Sequence, residues 1–583
     1  MLTSMDKMLW NQIKNIDIDL DQVTDPNVRA QIFLLLKALD MLTEEVQQLK
    51  EENQSLKDEI NRLKGEKGRP KFSGKKGKKG TGESSKHSSE NERNRNGADN
   101  EGGKGKDKKK SKGRGKKNVV VHETKICELD QSALPKDVVF KGYETVVIRD
   151  IVLQPLNTAY RRQVFYSASE NKRYIAPLPN GHNGEFGPYL KALVIACHYD
   201  YQMTEPSIHR LLSDAGVEIS LSSLSRILTG SGGQSEHVDR LHQEKEDIVN
   251  AGRQSTTYQQ IDDTSARVGG NTYYTQVLCN PFYTAYYTCP NKNRLTVLKV
   301  LSGGELRYSV SHEVYILLTR IIPKKHLDKI NQFFSSYRAR CIEEINQKDF
   351  DVLVNELFPD PNKHHKARTT LLEKCAVAAY QNREDAIEIL VADDAGQYKF
   401  ITRYQSLCWV HDGRHYKKDL KPVRHVQREK LERFLRLYWA FYHCLLAFKE
   451  TPSQYSTERI SRLFDLLFSL ETGYDALDHQ IAKTKEKKES LLLVLQCPDL
   501  PLHNNESELG ARRQARYRDI SFQTRTQEST RVKDSIMTVV QTAKKHGVSV
   551  LKYLISLISL DGEGPPLSEF INRCSEPAPC IPN

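Results

Sequence analysis

The chain has 583 residues, a formal net charge of +12 and a hydrophobic content of 38%. That length is typical of several domains, and the hydrophobic content is sufficient for a buried core. No stretch approaches the roughly 20 apolar residues that span a membrane. The start lacks a continuous apolar secretion signal, and the 11 cysteines form no CxxC pair. The sequence therefore predicts a cytoplasmic protein with no membrane partner and no disulfide framework.

The first domain, residues 1–66, ends in a heptad pattern that predicts a leucine-zipper coiled coil. Apolar residues recur at alternating spacings of three and four from Leu39 to Leu63. Leucine at the d positions, with β-branched residues and one asparagine at the a positions, favours a parallel dimer. The predicted dimerisation residues are Leu42, Leu49, Asn53, Leu56, Ile60 and Leu63. The alternative is a single amphipathic helix packed on its own domain.

A basic segment follows at residues 67–118. Within it, residues 67–117 hold 19 Lys and Arg against 6 Asp and Glu, a net charge of +13, so the rest of the chain carries about −1. Such a Gly/Ser/Lys segment predicts a disordered linker that is attracted to nucleic-acid phosphates. The alternative is a solubilising linker. The candidate phosphate contacts are Lys75, Lys76, Lys108, Lys109 and Lys110.

Two regions separate this linker from the main domain. Residues 119–184 contain the β-branched runs "VVVHETKICEL", "ETVVIRDIVL" and "RRQVFYSAS" and predict a strand-rich domain. Residues 185–252 predict helices, the first with Pro188 in its first turn. Two short helices joined at Gly216 are compatible with a DNA-binding helix-turn-helix. Simple helix packing is the alternative reading of that pair.

Residues 253–549 predict an α/β domain. Three strand-like runs, "TTYQQIDDTSARV", "NTYYTQVLCN" and "FYTAYYTCP", precede the helical "RLTVLKVLSG". Helical insertions at 305–385 and 420–500 flank two further strands, "AIEILVADDAGQY" and "SLCWVH", and the helix at "PLHNNESELGARRQAR" follows. This is the element order of a ribonuclease-H-like fold with insertions. Residues 550–583 predict a C-terminal helix and a frayed tail.

Acidic residues occur at three points of this predicted fold. The candidates are Asp262 or Asp263 on the first strand, Asp393 or Asp394 after the fourth, and Glu506 or Glu508 on the late helix. In such a fold the first and fourth strands are neighbours and the helix packs against them. Clustered carboxylates repel, and Mg²⁺ or Mn²⁺ resolves the conflict; two such ions support in-line phosphoryl transfer. Each aspartate alone also fits a turn or a helix N-cap. For the late helix, Asn504 is the candidate N-cap, and its glutamates then belong to an ordinary first helical turn.

The same segments resemble a known family. "FGPYLKALVIACHYDYQM", "IDDTSARV", "LVADDAGQYKF…LCWVHDGRHYKKDL" and "LHNNESELGARRQARYRDISF" resemble the DDE transposases of the insertion-sequence-sixty-six group (TnpC type), from about residue 30 to 560. The resemblance implies that Asp262, Asp393 and Glu508 are the catalytic metal ligands. Asp393 is selected because it lies five residues before Tyr398.

The resemblance also implies a set of contacts to DNA. These candidates are Arg512, Arg513, Arg516, His411 and Arg414. Trp409 and His411 match a C-W-x-H motif placed on the last strand, where a buried tryptophan and a satisfied core histidine are the alternative reading. Asp263 stands where relatives have glutamate, and Leu509 where arginine is common. Only Cys127 lies in the region where many relatives carry a cysteine zinc motif, so no zinc site is implied.

The function implied is that of a bacterial insertion-sequence transposase, an enzyme that binds element ends and target DNA. It would cleave DNA with two Mg²⁺ or Mn²⁺ ions and join 3′-hydroxyls to the target. The expected assembly is a homodimer through the coiled coil, nucleoid-associated in the cytoplasm, with accessory proteins as possible partners. The alternatives are a ribonuclease-H-like nuclease or resolvase that does not join strands, and an inactive zipper-dimerised DNA-binding regulator.

Overall fold

The computed structural model describes residues 120–129, 142–182, 184–230, 236–339, 343–559 and 564–575. The predicted coiled coil and the predicted basic linker lie outside these residues, and both stay predictions.

The described chain begins with extended segments and one small hairpin. Residues 120–129 and 142–163 are exposed and form no regular strand, so the strands predicted before residue 164 are wrong. A β-branched run becomes a strand only where a neighbour satisfies its backbone, and among the described residues before α1 this occurs only in the hairpin. There β1 (Val164–Ser167) pairs antiparallel with β2 (Lys172–Ile175).

Four helices follow, and their starts agree with the sequence. They are α1 (Pro188–Tyr199), α2 (Glu205–Asp214), α3 (Leu221–Thr229) and α4 (Glu236–Gln254). Thr204 caps α2 by accepting from the Ser207 N–H at 3.3 Å, and Ser220 caps α3 by accepting from the Ser223 N–H at 3.1 Å. Gly216 lies between them with φ of 83°, a conformation that glycine adopts without strain. The predicted helix–turn–helix arrangement is thus present as a local shape.

A mixed five-stranded sheet forms the centre of the α/β region. Its strands are β3 (Tyr258–Val268), β4 (Asn271–Asn280), β5 (Tyr283–Cys289), β8 (Ile389–Ala392) and β9 (Tyr404–Leu407). They lie in the order β5-β4-β3-β8-β9. The first three form an antiparallel meander, and β8 and β9 run parallel to β3. The predicted adjacency of the first and fourth strands is confirmed.

Two long helices cover the sheet. They are α15 (Asn505–Ser521) and α16 (Gln527–Lys545). A Cβ on Gly510 of α15 would lie 2.6 Å from Val277 Cγ1 on β4. Because only a glycine fits at that distance, α15 lies directly against the sheet.

Helix α16 closes the open edge of β5. The N–H groups of Thr284, Tyr286 and Thr288 donate to side chains of α16, spaced four residues apart, at 3.3, 3.2 and 2.6 Å. The acceptors are Thr542, Thr538 and Asp534. Four helical residues rise about 6 Å and two strand residues about 6.8 Å, so the two ladders match. An edge that would otherwise expose unpaired N–H groups is thereby satisfied.

The first insertion is mainly helical, as expected. Helix α5 (Arg294–Leu301) precedes it. Its elements are β6 (Arg307–Ser309), α6 (His312–Ile321), α7 (Leu327–Ala339), β7 (Glu344–Asn346), α8 (Gln347–Leu357) and α9 (His365–Gln381). The short strands β6 and β7 pair antiparallel, and Tyr308 stacks on Phe350 with ring centroids 4.2 Å apart. The insertion shares the main hydrophobic core with the sheet and α1–α4.

The second insertion has its own aromatic core. Its helices are α10 (Trp409–Lys418), α11 (His425–Glu450), α12 (Gln454–Leu467), α13 (Asp475–Glu486) and α14 (Lys488–Leu491). Trp409 is 1% exposed in a cluster of buried Phe and Tyr rings from α11 and α12. The chain ends in α17 (Val550–Ser559) and α18 (Leu567–Cys574), the last described elements. No helix among the described residues has the length and apolar content needed to cross a bilayer.

Candidate functional site

The two aspartate pairs lie at the same edge of the sheet, on neighbouring parallel strands. Gln260 of β3 is the register partner of Val391 of β8. Asp262 and Asp393 each follow two residues later. Asp262 is still within its strand, whereas Asp393 lies just beyond the end of β8 at Ala392. Pairing in register therefore brings the two carboxylates to one level of the sheet.

Helix α15 brings the third carboxylate to the same face. Asp262 pairs with Val277 of β4, and directly opposed residues of an antiparallel pair share one face of the sheet. Val277 is the residue that Gly510 of α15 approaches. Glu508 precedes that glycine by two positions, and its side chain is 12% exposed. Asp262 therefore faces the helix that carries Glu508.

The surroundings of Asp262 disfavour its ionised form. Burial is the largest cause, and together with the nearby charges of Asp393, Asp263 and Glu508 it raises the pKa of Asp262 to about 7, against the effect of one hydrogen bond. That bond comes from the Asp263 N–H at 2.9 Å. Without a cation, Asp262 is therefore close to half-protonated at neutral pH.

The second acid of the first pair faces away from this cluster. Asp263 pairs with Gln276 and lies on the opposite face of β3. Its carboxylate is 3.1 Å from Lys292 Nζ. It also accepts from the Tyr398 hydroxyl at 3.2 Å and from Gln397 Nε2 at 3.3 Å. Asp263 is thus a bonded structural carboxylate.

The second pair divides in the same way. Asp394 lies 2.7 Å from Lys399 Nζ and 2.9 Å from Lys487 Nζ. Burial opposes its ionisation, but the bonds from the two lysines outweigh burial and hold the pKa of Asp394 below its ordinary value. Asp393 makes a local bond instead, accepting from the Ala395 N–H at 3.1 Å. The lysine contacts among the described residues are therefore made by the second acid of each pair, and Asp262 and Asp393 remain in the carboxylate cluster.

Of the two helix glutamates, the structure places Glu508 with the aspartates. Glu506 is held by Lys545 Nζ at 2.7 Å. Glu508 lies near two arginines and one histidine, Arg414 at 3.5 Å, His411 at 3.6 Å and Arg512 at 3.9 Å. These separations are longer than a strong charge-assisted bond. Glu508 therefore lies near enough to act on Asp262 and is not locked in one ion pair.

The C-W-x-H motif lies on a helix, so the prediction of a strand there is wrong. Strand β9 ends at Leu407, and Trp409 is the first residue of α10. The Trp409 N–H groups of backbone and ring are bonded within the core, to Leu502 O and Leu491 O, both at 2.9 Å. The burial of Trp409 in this core outweighs the β propensity of the motif's residues. Trp409 is a structural residue.

His411 departs from the expected core histidine. Its Nε2 accepts from Arg414 Nη1 at 2.9 Å, so the neutral ring carries its proton on Nδ1. That atom is buried without a hydrogen-bond partner among the described residues. Burial lowers the pKa of His411, and Arg414 lowers it further. The ring is therefore neutral and lies beside Glu508.

Asn504 does not form the expected N-cap of α15. Its side chain makes no capping hydrogen bond. It is fully buried beside His411 and lies close enough to that ring to raise its pKa, but neither its amide nitrogen nor its amide oxygen makes a hydrogen bond of ordinary geometry within the described chain.

The remaining candidate DNA contacts lie in different surroundings. Arg512 and Arg516 are exposed on α15. Arg513 is turned inward, with its guanidinium 3.8 Å from Asp200, and so tethers α15 to the end of α1. Lys75, Lys76, Lys108, Lys109 and Lys110 lie outside the described residues, as do the six predicted dimerisation residues.

The donor chemistry of the cluster fits a hard divalent cation. Three carboxylates lie near one edge of the sheet, and burial together with the neighbouring acids disfavours the ionised form of Asp262. No group of three or more His, Cys, Asp or Glu side chains in the described ranges already stands in a metal-holding arrangement. Glu508 would have to leave Arg414 and His411 to complete one.

The sequence does not predict the lysines that form ion pairs with the second acid of each aspartate pair. Lys292 lies in the polar loop "PNKNR", and Lys487 lies in "KTKEKKES" among other lysines. Neither segment carries a local signal, because both contacts form between residues far apart in the chain. The sequence predicts Asn504 only as a cap, and its burial has no signature in the sequence.

Comparison with known proteins gives one distant relative and no assigned activity. No family model matches the chain. The chain is 29% identical over 329 residues to "Uncharacterized protein y4jO" of Sinorhizobium fredii (strain NBRC 101917 / NGR234), covering 54% of this chain and 96% of that protein.

Proposed function

We propose that this protein is a DNA transposase of the DDE type, in which Asp262, Asp393 and Glu508 hold divalent cations. One observation carries the proposal. The first acid of each aspartate pair is free of lysine partners and lies at the same edge of the sheet, on the face that α15 covers with Glu508. A carboxylate whose pKa is raised to about 7 is stabilised most by a bound cation.

We further propose that the sheet is a ribonuclease-H-like core. Three antiparallel strands followed by two strands parallel to the first, in the order β5-β4-β3-β8-β9, support this assignment. So does the helix that crosses the first strands and carries the third acid. The two insertions enter between β5 and β8 and after β9, away from the strand pairing that aligns the aspartates.

When bound, Mg²⁺ or Mn²⁺ would activate the attacking oxygen and stabilise the leaving oxygen of an in-line phosphoryl transfer. Asp262 would give up its remaining proton on binding, because the ionised carboxylate binds a divalent cation far more strongly than the neutral acid does. Asp263 and Asp394 would keep the neighbouring backbone in place through Lys292, Lys399 and Lys487.

The cations around Glu508 are placed to receive a phosphate. Arg414 and the exposed Arg512 lie within 4 Å of that carboxylate. Once Glu508 turns to a cation, both guanidiniums lose an anionic neighbour and a DNA phosphate can replace it. The helix pair α2–α3, the basic linker and Arg516 would extend the DNA contact, and the zipper would pair two subunits.

The proposal is tested by incubating the purified full-length protein with Mg²⁺ and labelled duplexes taken from the DNA that flanks its gene on either side. We expect cleaved ends and strand-joined products that disappear in Asp262→Ala, Asp393→Ala and Glu508→Ala. Asp263→Asn and Glu506→Gln serve as matched controls. Cleavage without joining would favour the nuclease or resolvase alternative. DNA binding with no metal-dependent product would favour the inactive regulator.

A further inference from the structure

An exposed phenylalanine ends the helix that carries Glu508. Phe522 follows the last residue of α15 with φ of 59° and ψ of −61°. Its side chain is 81% exposed. Positive φ is uncommon for residues other than glycine, and the position after a helix is most often glycine for that reason. The chain therefore holds a large aromatic ring in water at a site where glycine would be less strained.

Hydrogen bonds on both sides fix this backbone conformation. The Phe522 N–H donates to Arg518 O at 2.9 Å. Two residues later, Thr524 donates its N–H to Arg267 O at 3.2 Å and accepts from the Gly269 N–H at 2.9 Å. The loop is thus attached to the end of β3. Strain of this kind persists where the surroundings determine it, and such positions cluster at functional sites.

The ring is set among arginines and isolated from other apolar surface. From Arg516 to Arg531 the chain carries four arginines against two acids. Arg516 and Arg525 are exposed, and Arg267 is exposed on the neighbouring strand. Between residues 505 and 535, Leu509 is the other large hydrophobic side chain with substantial exposure. A single ring framed by guanidiniums lacks the apolar surroundings of a protein-binding patch and suits an anionic partner with flat aromatic groups.

The loop and the carboxylate cluster are separated by a similar distance along α15 and along β3. Phe522 follows Glu508 by 14 residues on one helix, which corresponds to about 21 Å. Along β3, the six residues from Asp262 to Val268 span about 20 Å, and Val268 forms a bridge to Thr524. The two measures agree. The ring is about six base-pair steps from the carboxylates, at roughly 3.4 Å per step.

The helix pair that was compared with a helix-turn-helix adjoins this loop. Arg525 is close enough to Glu205, the first residue of α2, to lower its pKa against the larger effect of burial. Glu205 in turn is bonded to Ser225 of α3. The loop that carries Phe522 and Arg525 therefore lies near the start of α2.

We propose that Phe522 is a nucleobase-stacking residue, whose ring packs against a base of DNA bound along α15. The inference rests on the proposed function only in taking DNA as the ligand. Aromatic side chains stack on bases of any sequence and are worth about 1–3 kcal/mol per base. The phosphates beside that base would be held by Arg516, Arg525 and Arg267, and the ring is already exposed to receive the base.

The test uses the full-length protein in EDTA, so that binding is measured without any chemistry. The probe is a 30-base-pair duplex of mixed sequence with one unpaired 2-aminopurine, moved position by position through the site. Affinity is measured by anisotropy and base stacking by the 2-aminopurine fluorescence. Phe522→Leu keeps an apolar side chain but removes the aromatic face, and Phe522→Trp keeps that face.

We expect Phe522→Leu to weaken binding about 5- to 100-fold and to abolish quenching at one probe position, whereas Phe522→Trp retains both. Phe400→Leu is the matched control. Phe400 is 73% exposed with φ of 62°, but it precedes β9, at the opposite edge of the sheet from Asp393. Its substitution should leave affinity and quenching unchanged.

Each contrary result has a distinct meaning. If the wild-type protein does not bind the duplex, the proposed function fails. If it binds and Phe522→Leu binds equally, with the quenching kept, the stacking role is wrong and the proposed function stands. If Phe522→Leu instead changes the sedimentation of the protein without changing its affinity for DNA, the ring belongs to a protein interface. Thermal melting of every variant, with a higher midpoint expected for Phe522→Gly because strain is relieved, excludes misfolding as the cause.

Discussion

The two aspartate pairs have the same sequence pattern, an apolar strand followed by two acids, yet their surroundings assign the acids by different means. At Asp262–Asp263 the strand continues, so the alternation of a pleated strand sends the two side chains to opposite faces. At Asp393–Asp394 the strand has ended, and two lysines from distant segments capture the second acid. Local strand geometry determines which acid of the first pair faces the cluster, and long-range contacts determine it for the second pair.

The two pairs should therefore differ in how strongly the loss of a lysine partner destabilises the protein. Asp263 is held by one half-exposed lysine and two neutral donors. Asp394 belongs to a buried chain of charges, because Lys487 also contacts Asp412, whose side chain is 4% exposed. Loss of a lysine should therefore be mild at the first pair and severe at the second. Loss of the first acid should be equally damaging to activity at both.

The largest effect is expected from replacing the first acid of each pair by asparagine, compared with replacing the second. Asp262→Asn and Asp393→Asn should each lower metal-dependent DNA cleavage by about 10³-fold or more, which corresponds to ~4 kcal/mol of barrier, because each removes a cation ligand. Asp263→Asn and Asp394→Asn should stay within about tenfold of wild type. Rates are measured under single-turnover conditions with Mg²⁺. Equal losses from both members of a pair would remove the distinction between them.

The second effect concerns stability at the Asp394 pair. Lys487→Ala leaves the buried Asp412 carboxylate without its cation and should cost about 3–5 kcal/mol in the free energy of unfolding, measured by urea denaturation. The adjacent Lys488→Ala is the control. Its partner Asp465 is 50% exposed, so that change should cost less than about 1 kcal/mol. Similar losses from both lysines would show that Lys487 is only a surface contact.

The third effect is a pH dependence that isolates Asp262. Folded Asp262 holds its proton up to about pH 7, whereas unfolded aspartate ionises near pH 4. The folded state therefore binds more protons between these values, so this group's contribution to stability falls as the pH rises from about 4 to about 7 and then levels off. In EDTA, Asp262→Asn should raise stability by about 2–4 kcal/mol at pH 8 and by little at pH 4.

The same urea series on Asp263→Asn provides the contrast, since Lys292 neutralises that acid and no gain at pH 8 is expected. A gain for Asp262→Asn that is equal at pH 4 and pH 8 would contradict the charge repulsion assigned to this side chain.

The smallest effect is expected at Lys292. Its side chain is 48% exposed, and Asp263 keeps the Tyr398 and Gln397 bonds without it. Lys292→Ala should cost less than about 1 kcal/mol, and the cost should shrink further in 0.5 M salt. A loss above about 3 kcal/mol would place Lys292 beside Lys487 in importance and would end the contrast between the pairs.

The sequence predicts the parts of this arrangement that depend on local pattern. The strands of the sheet and the two short helices joined at Gly216 follow from periodicity and turn chemistry, whereas the adjacency of the first and fourth strands rests on the fold analogy and the choice of Asp262 over Asp263 on the family resemblance. It fails where tertiary packing overrides local preference. Trp409 and His411 lie on a helix because the tryptophan is buried in the core of the second insertion, and the runs before residue 164 form no strands because they meet no partner in the described chain.

The candidate site shows the same limit. The three carboxylates were predictable as residues, but the assignment of Asp394 and Glu506 to structural roles depends on Lys487 and Lys545, which are 93 and 39 residues away from them in the chain. The unbonded amide of Asn504 depends on burial that no local motif encodes. Contacts of this range are settled by the fold as a whole.

The central claim is that Asp262 is a cation ligand and Asp263 is not. Calorimetric titration of the full-length protein with Mn²⁺ at pH 7, repeated in buffers of different ionisation enthalpy, tests it directly. We predict binding that is accompanied by proton release in the wild-type protein and in Asp263→Asn. Asp262→Asn should lose both the binding and the proton release. Binding of Mn²⁺ to Asp262→Asn with wild-type affinity would contradict the account.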